Sequence, residues 1–92
     1  MIIKLHKFGE ILISRPSGRE AYLSAKAYLL DKKISLVEFD FAKVRVLSPS
    51  WIDEFVTLLK KDYPGIKIIF RKTGNPSVVE SIKILKSTTL FF

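Results

Sequence analysis

The chain has 92 residues, one domain's worth, with little spare structure for a deep cleft. Apolar residues make up 48% and charged residues 27%, a globular balance that excludes intrinsic disorder; the absence of cysteine excludes disulfides, thiol catalysis and thiolate metal sites. A net charge of +7 raises nucleic acid or an acidic protein as a partner class, but the cations are spread in runs no longer than two, the pattern of a solvated surface.

In chain order, Ile2–Phe8 alternates apolar and basic residues and predicts a strand. Gly9-Glu10 predicts a turn and Ile11-Leu12-Ile13 a second strand, together a hairpin. Charges interrupt the apolar stretch of Met1–Lys7, so it lacks the order of a signal peptide. No apolar run is long enough to span a bilayer, and the default expectation is a cytoplasmic domain with no membrane partner. A helix opens near Ser14–Glu20, with Ser17 as its cap and Glu20 reaching back in a capping box. It runs to Leu30 or Asp31 with an apolar stripe of Ala21, Tyr22, Ala25, Tyr28 and Leu29.

Leu36–Phe41 is the clearest strand: Val37, Phe39 and Phe41 point one way, Glu38 and Asp40 the other. Ile66–Lys72 repeats the pattern, with Ile66, Ile68 and Phe70 opposite Lys67, Ile69 and Arg71. A central strand of a doubly wound sheet would be apolar on both faces. The fold class predicted is therefore α/β in two layers, a small mixed β-sheet with helices packed on one face. Between these strands lies a helix from Pro49 or Trp51 to Asp62, with Ile52, Phe55, Val56 and Leu59 on one side. Either Ser48 caps it with Pro49 as its first residue, or Ser50 caps it with Asp53 three residues on. Tyr63-Pro64-Gly65 ends it, and the strand–helix–strand unit predicts a right-handed parallel crossover. A last helix runs from Pro76 to Leu85, capped by Asn75, with Val78, Val79, Ile82 and Leu85 as its buried side. The tail 87–92 ends in Leu90-Phe91-Phe92, which either docks on the domain or covers a partner.

Catalytic constellations are missing from this pattern. His6 is the lone histidine, there is no glycine-rich phosphate loop, and no serine sits in a nucleophile elbow. The expectation is no enzyme, no cofactor and no metal. Asp53 and Glu54 are adjacent and point apart on a helix. Their placement in its first turn suits dipole compensation or the polar rim of a partner site. Arg15 and Arg19 are cations at a helix start, a place the dipole disfavours, which implies pairing with Asp40, Asp53 or Glu54, or an anionic ligand. A serine at a helix start, Ser48 or Ser50, is also a favourable place for a phosphate.

Read together, Phe8-Gly9, Ser14-Arg15, Gly18-Arg19, Asp40-Phe41, Val44, Ser50-Trp51, Asp53-Glu54-Phe55, Ile68-Phe70 and Asn75–Ile82 form an ordered series. It resembles the STAS-like domain family of unknown function over about Phe8 to Leu85. That family is related in fold to the anti-sigma-factor antagonists, whose small mixed sheet carries helices on one side. The resemblance implies a protein partner of the histidine-kinase-type ATPase kind, which phosphorylates a serine at the start of the helix after the central strand. By gap-free matching Pro49 falls at that serine, flanked by Ser48 and Ser50, and Trp51 stands where the antagonists carry glycine.

The favoured reading is a non-catalytic, regulatory protein-interaction module docking through Arg15, Arg19, Asp40, Ser50, Trp51, Asp53 and Glu54. The alternative is a nucleic-acid-binding domain using Lys4, Lys67 and Arg71 on the open sheet face. A third reading is a homodimer covered by the Leu90-Phe91-Phe92 tail.

Overall fold

The computed structural model describes residues 1–88, so the Leu90-Phe91-Phe92 expectation lies outside the described residues. The elements in order are β1 (Ile2–Lys4), a 3-10 turn (Leu5–Phe8), β2 (Ile11–Leu12), α1 (Arg15–Tyr28), β3 (Leu36–Asp40), β4 (Val46–Leu47), α2 (Pro49–Asp62), β5 (Lys67–Phe70) and α3 (Pro76–Thr88). They form a small α/β domain with two parallel sheets, one ordered β1-β3-β5 and the other β2-β4. The expected single mixed sheet is thus corrected: each strand pair among the described residues is parallel.

The expected hairpin is absent for a local reason. Residues 5–8 tighten into the 3-10 turn instead of prolonging β1, and Leu5 is buried. Gly9 then takes φ 130°, a conformation that disfavours side-chain-bearing residues, while its N–H donates to His6 O at 3.0 Å. The chain runs on into β2. Alongside it, β3 is followed by a turn at Ala42–Lys43, with Lys43 at φ 69°, before β4 begins. Both chain segments are interrupted at about the same level, so one pairing becomes two: Ile3 beside Phe39, then Leu12 beside Leu47. β4 carries no signature in the sequence because two residues, Val46 and Leu47, hold too little alternation. Its buried Leu47 is held from the other side by α3, where Ser77 Oγ accepts from Leu47 N–H at 3.0 Å and Ser81 Oγ donates to Leu47 O.

The sidedness of the large sheet agrees with the alternation. Val37, Phe39 and Phe41 are buried with Ile3 and Ile66, and half-buried Ile68 and Phe70 pack against them. Phe55 of α2 meets Phe39 edge-on at 5.5 Å between ring centres and lies stacked with Trp51 at 5.6 Å, so α2 covers this face. Ile52, Phe55, Val56 and Leu59 are all buried, as their spacing demands. Lys4, Glu38, Asp40, Lys67 and Arg71 occupy the opposite, solvated face, where Lys4 pairs in register with Asp40.

Several ends differ from expectation. α1 is capped by Ser14, whose Oγ accepts the Ser17 N–H at 3.1 Å, and not by Ser17; Pro16 occupies the first turn and Glu20 is exposed. α1 also stops at Tyr28, which is 85% exposed instead of joining the stripe. β5 is shorter than Ile66–Lys72, and α3 extends past Leu85 to Thr88. For α2 the first of the two caps holds: Ser48 Oγ accepts the Trp51 N–H at 3.2 Å and Pro49 is the first helical residue. Asn75 Oδ1 accepts the Ser77 N–H at 2.9 Å, capping α3, while its Nδ2 donates to Val44 O and Arg45 O.

Candidate functional site

Parallel pairing of β2 with β4 has a geometric consequence: the helices that follow these strands start side by side. Ser48 N–H donates to Leu12 O at 2.8 Å, and Ser48 Oγ donates to Ile13 O at 2.6 Å, tying the start of α2 to the strand that feeds α1. The helices then touch closely at Gly18. A β-carbon there would stand 2.5 Å from Trp51 O, so only glycine fits. Trp51 Nε1–H donates to Ser17 Oγ at 3.3 Å, giving the buried indole its polar partner.

On this frame the four charged residues meet. Arg15 Nη1 lies 2.9 Å from Asp53 Oδ2 and 3.1 Å from Glu54 Oε1, and Arg19 Nε lies 3.0 Å from Glu54 Oε2. Glu54 is 9% exposed, and each of its oxygens has a guanidinium donor, which is what burial of a carboxylate requires. Bonding to Asp53 first, then Glu54, holds the Arg15 pKa above its usual value. The disfavoured placement of a cation at the first residue of α1 is offset by carboxylates from α2.

Asp53 and Glu54 are thus one turn further along α2 than expected, because that helix begins at Pro49; they compensate arginines and do not cap. Asp40 stands apart from this cluster: its Oδ1 accepts the Ala42 N–H at 2.9 Å and its Oδ2 lies 3.5 Å from Arg71 Nη1 on the open face. Trp51 does not face a partner, contrary to expectation. It is 0% exposed, so its side chain belongs to the core beneath the site and presents no surface to a partner. Ser48 is committed to its cap, whereas Ser50, in the first turn of α2, is exposed. Ser14, Ser17 and Gly18 were missed as parts of this junction. The signal was the serine one or two residues before a proline, present at both Ser14-Arg15-Pro16 and Ser48-Pro49.

Elsewhere, Tyr22 O–H donates to Asp62 Oδ2 at 2.7 Å, and Lys26 Nζ lies 3.0 Å from the same oxygen. Burial first, then the bond to Asp62, pushes the Tyr22 pKa up, and the bonds from Tyr22 and then Lys26 hold Asp62 below the usual carboxylate range. Half-buried His6 sits in the 3-10 turn, and no three metal-ligating side chains converge among the described residues. No helix among these residues is long and apolar enough to cross a membrane. On the open sheet face, Arg71 reaches Glu38 at 3.6 Å as well as Asp40, so both signs of charge share it with Lys4 and Lys67. In comparison with known proteins, no family model, curated protein or solved structure gives a significant match to this chain.

Proposed function

We propose that this chain is a non-catalytic, STAS-like interaction module that docks a protein partner on the joined starts of α1 and α2. The observation that carries the reading is the pairing of two helix N-termini into one braced polar surface. The Gly18–Trp51 contact and the Glu54 bridges brace it, with Ser50 exposed at its edge. A surface ordered before binding loses little conformational entropy on docking. The helix positive ends make Ser50 the favourable phosphate acceptor, since Ser48 is occupied as a cap. The partner class is a histidine-kinase-type ATPase, and the role is regulatory. Mixed charge on the open sheet face favours this reading over nucleic acid, because Glu38 and Asp40 repel a phosphate backbone there.

The test is affinity capture from the native cell with the wild type, Ser50→Ala and Ser50→Glu, followed by mass spectrometry of the chain after incubation with the captured ATPase and ATP. A histidine-kinase-type ATPase held by the wild type, released at least tenfold by Ser50→Glu, and placing phosphate on Ser50 is the expected result. Equal capture by all three chains, with no phosphate on Ser50, would remove the proposal.

A further inference from the structure

A second candidate site is built from other residues of the domain. A cavity of about 330 Å³ opens where the chain leaves β3 and β5, between those strand ends and α3. Phe41, Phe70, Val79 and Ile82 supply its apolar lining; Arg71, Lys72, Lys83 and Lys86 supply its charge. Thr73 completes the lining, and no carboxylate belongs to it among the described residues.

We infer that this cavity binds a small amphipathic anion, an acyl or aryl chain bearing one carboxylate or phosphate head. Three observations converge on that class. The position is the carboxyl end of the parallel strands β3 and β5, where the chain leaves the sheet and α3 packs beside it, so the lining comes from separate elements. The volume falls at the small end of ligand clefts, about 300–1,000 Å³, which suits a chain of modest length and not a macromolecule. The charge is of one sign: Arg71 is partly compensated across the sheet by Glu38 and Asp40, and Lys83 by Glu80 at 3.7 Å, but Lys72 has no ion pair among the described residues. Lys86 holds its ammonium 5.6 Å from the centre of the Phe70 ring, placing a cation directly over an aromatic wall. An apolar body against Phe41 and Phe70, with its head between Lys72 and Lys86, satisfies both halves of the cavity. This site shares no residue with the surface where α1 and α2 begin, and stands whether or not that surface docks a partner.

The probe is octanoate, with octanamide as its uncharged counterpart, titrated into the isotope-labelled full chain and followed by amide NMR shifts. Octanoate is expected to give saturable shifts at residues 71–73 and 79–86, with octanamide at least tenfold weaker. The Lys72→Gln/Lys86→Gln double variant is expected to lose about tenfold in octanoate affinity while its unbound spectrum elsewhere stays that of the wild type. Both lysines are exposed, so the fold tolerates the change. Equal affinity for octanamide would reduce the cavity to an apolar dent and overturn the assignment. So would shifts centred on Ser17 and Ser50, unchanged octanoate affinity in the double variant, or no saturation at all.

Discussion

Two regions of this domain treat charge in opposite ways. Where α1 and α2 begin, both arginines are bonded by carboxylates, and one of those carboxylates is buried. Around the cavity between β5 and α3, lysines surround an apolar lining that includes no acid among the described residues. The first arrangement gives rigidity, since a half-satisfied buried carboxylate would be costly. The second contributes little to stability and leaves its charge for a ligand. A net basic chain can therefore be neutral where it is braced and cationic where it is open.

The largest effects are expected where the braced junction is broken sterically. Gly18→Val forces a side chain into Trp51 backbone, and Trp51→Ala empties the space beneath the site; each is expected to lose about 3–5 kcal/mol by denaturant titration. Since a domain of this kind is stable by about 5–10 kcal/mol, the midpoint should fall by near half. A Trp51→Ala chain as stable as the wild type would show that the indole is not core. Next, Glu54→Gln leaves Arg15 and Arg19 without their shared anion. Both arginines are more than a third exposed, and solvent screening holds the expected loss to about 1–2 kcal/mol. Ser48→Ala removes the α2 cap and the tie to Ile13 O, for about 1 kcal/mol in the same assay. At the cavity, Lys72→Gln should change stability by less than about 0.5 kcal/mol. A larger loss there would erase the contrast.

The smallest effect is a dependence on pH. The folded Asp62 titrates below its ordinary value, so its contribution is present above the unfolded pKa and is lost as pH falls through the folded one, on the acid side of the usual carboxylate range. The folded Tyr22 titrates above its ordinary value of 10.0, so its contribution is complete below that pH and is lost as pH rises beyond it. Tyr22→Phe is therefore expected to unfold at slightly higher pH in an acid titration and to show a flatter alkaline limb. Identical limbs in both chains would show that the Tyr22–Asp62 bond does not form in solution.

Long periodic segments were readable from the residues alone. The α2 face of Ile52, Phe55, Val56 and Leu59, and the alternation of Val37, Phe39 and Phe41, each encode burial at a fixed period, and burial dominates the energy of a small domain. Helix starts were half readable. Ser48-Pro49 was a sound cap, but the capping-box pattern of Ser17 and Glu20 pointed to a cap that α1 does not use, since Ser14 fills that place. What stayed hidden was non-local. Whether Ile11–Leu12 folds back on Ile2–Lys4 or runs on beside Val46–Leu47 depends on a partner strand more than thirty residues away, which hairpin patterns cannot report. The arginine–carboxylate pairing was foreseen as a set of options, and the misplaced cation was the signal that found it. Asp40 dropped out because it lies on the far face of the sheet, and Trp51 because a large indole between two helices packs inward.

The contrast between the two regions comes down to how strongly their charges are coupled, and paired double-mutant cycles on thermal or denaturant stability measure that directly. The Arg19–Glu54 cycle is expected to return a coupling of about 1 kcal/mol, and the exposed Lys83–Glu80 cycle less than about 0.5 kcal/mol. Couplings of equal size, or none between Arg19 and Glu54, would mean that the starts of α1 and α2 are not held together by that carboxylate.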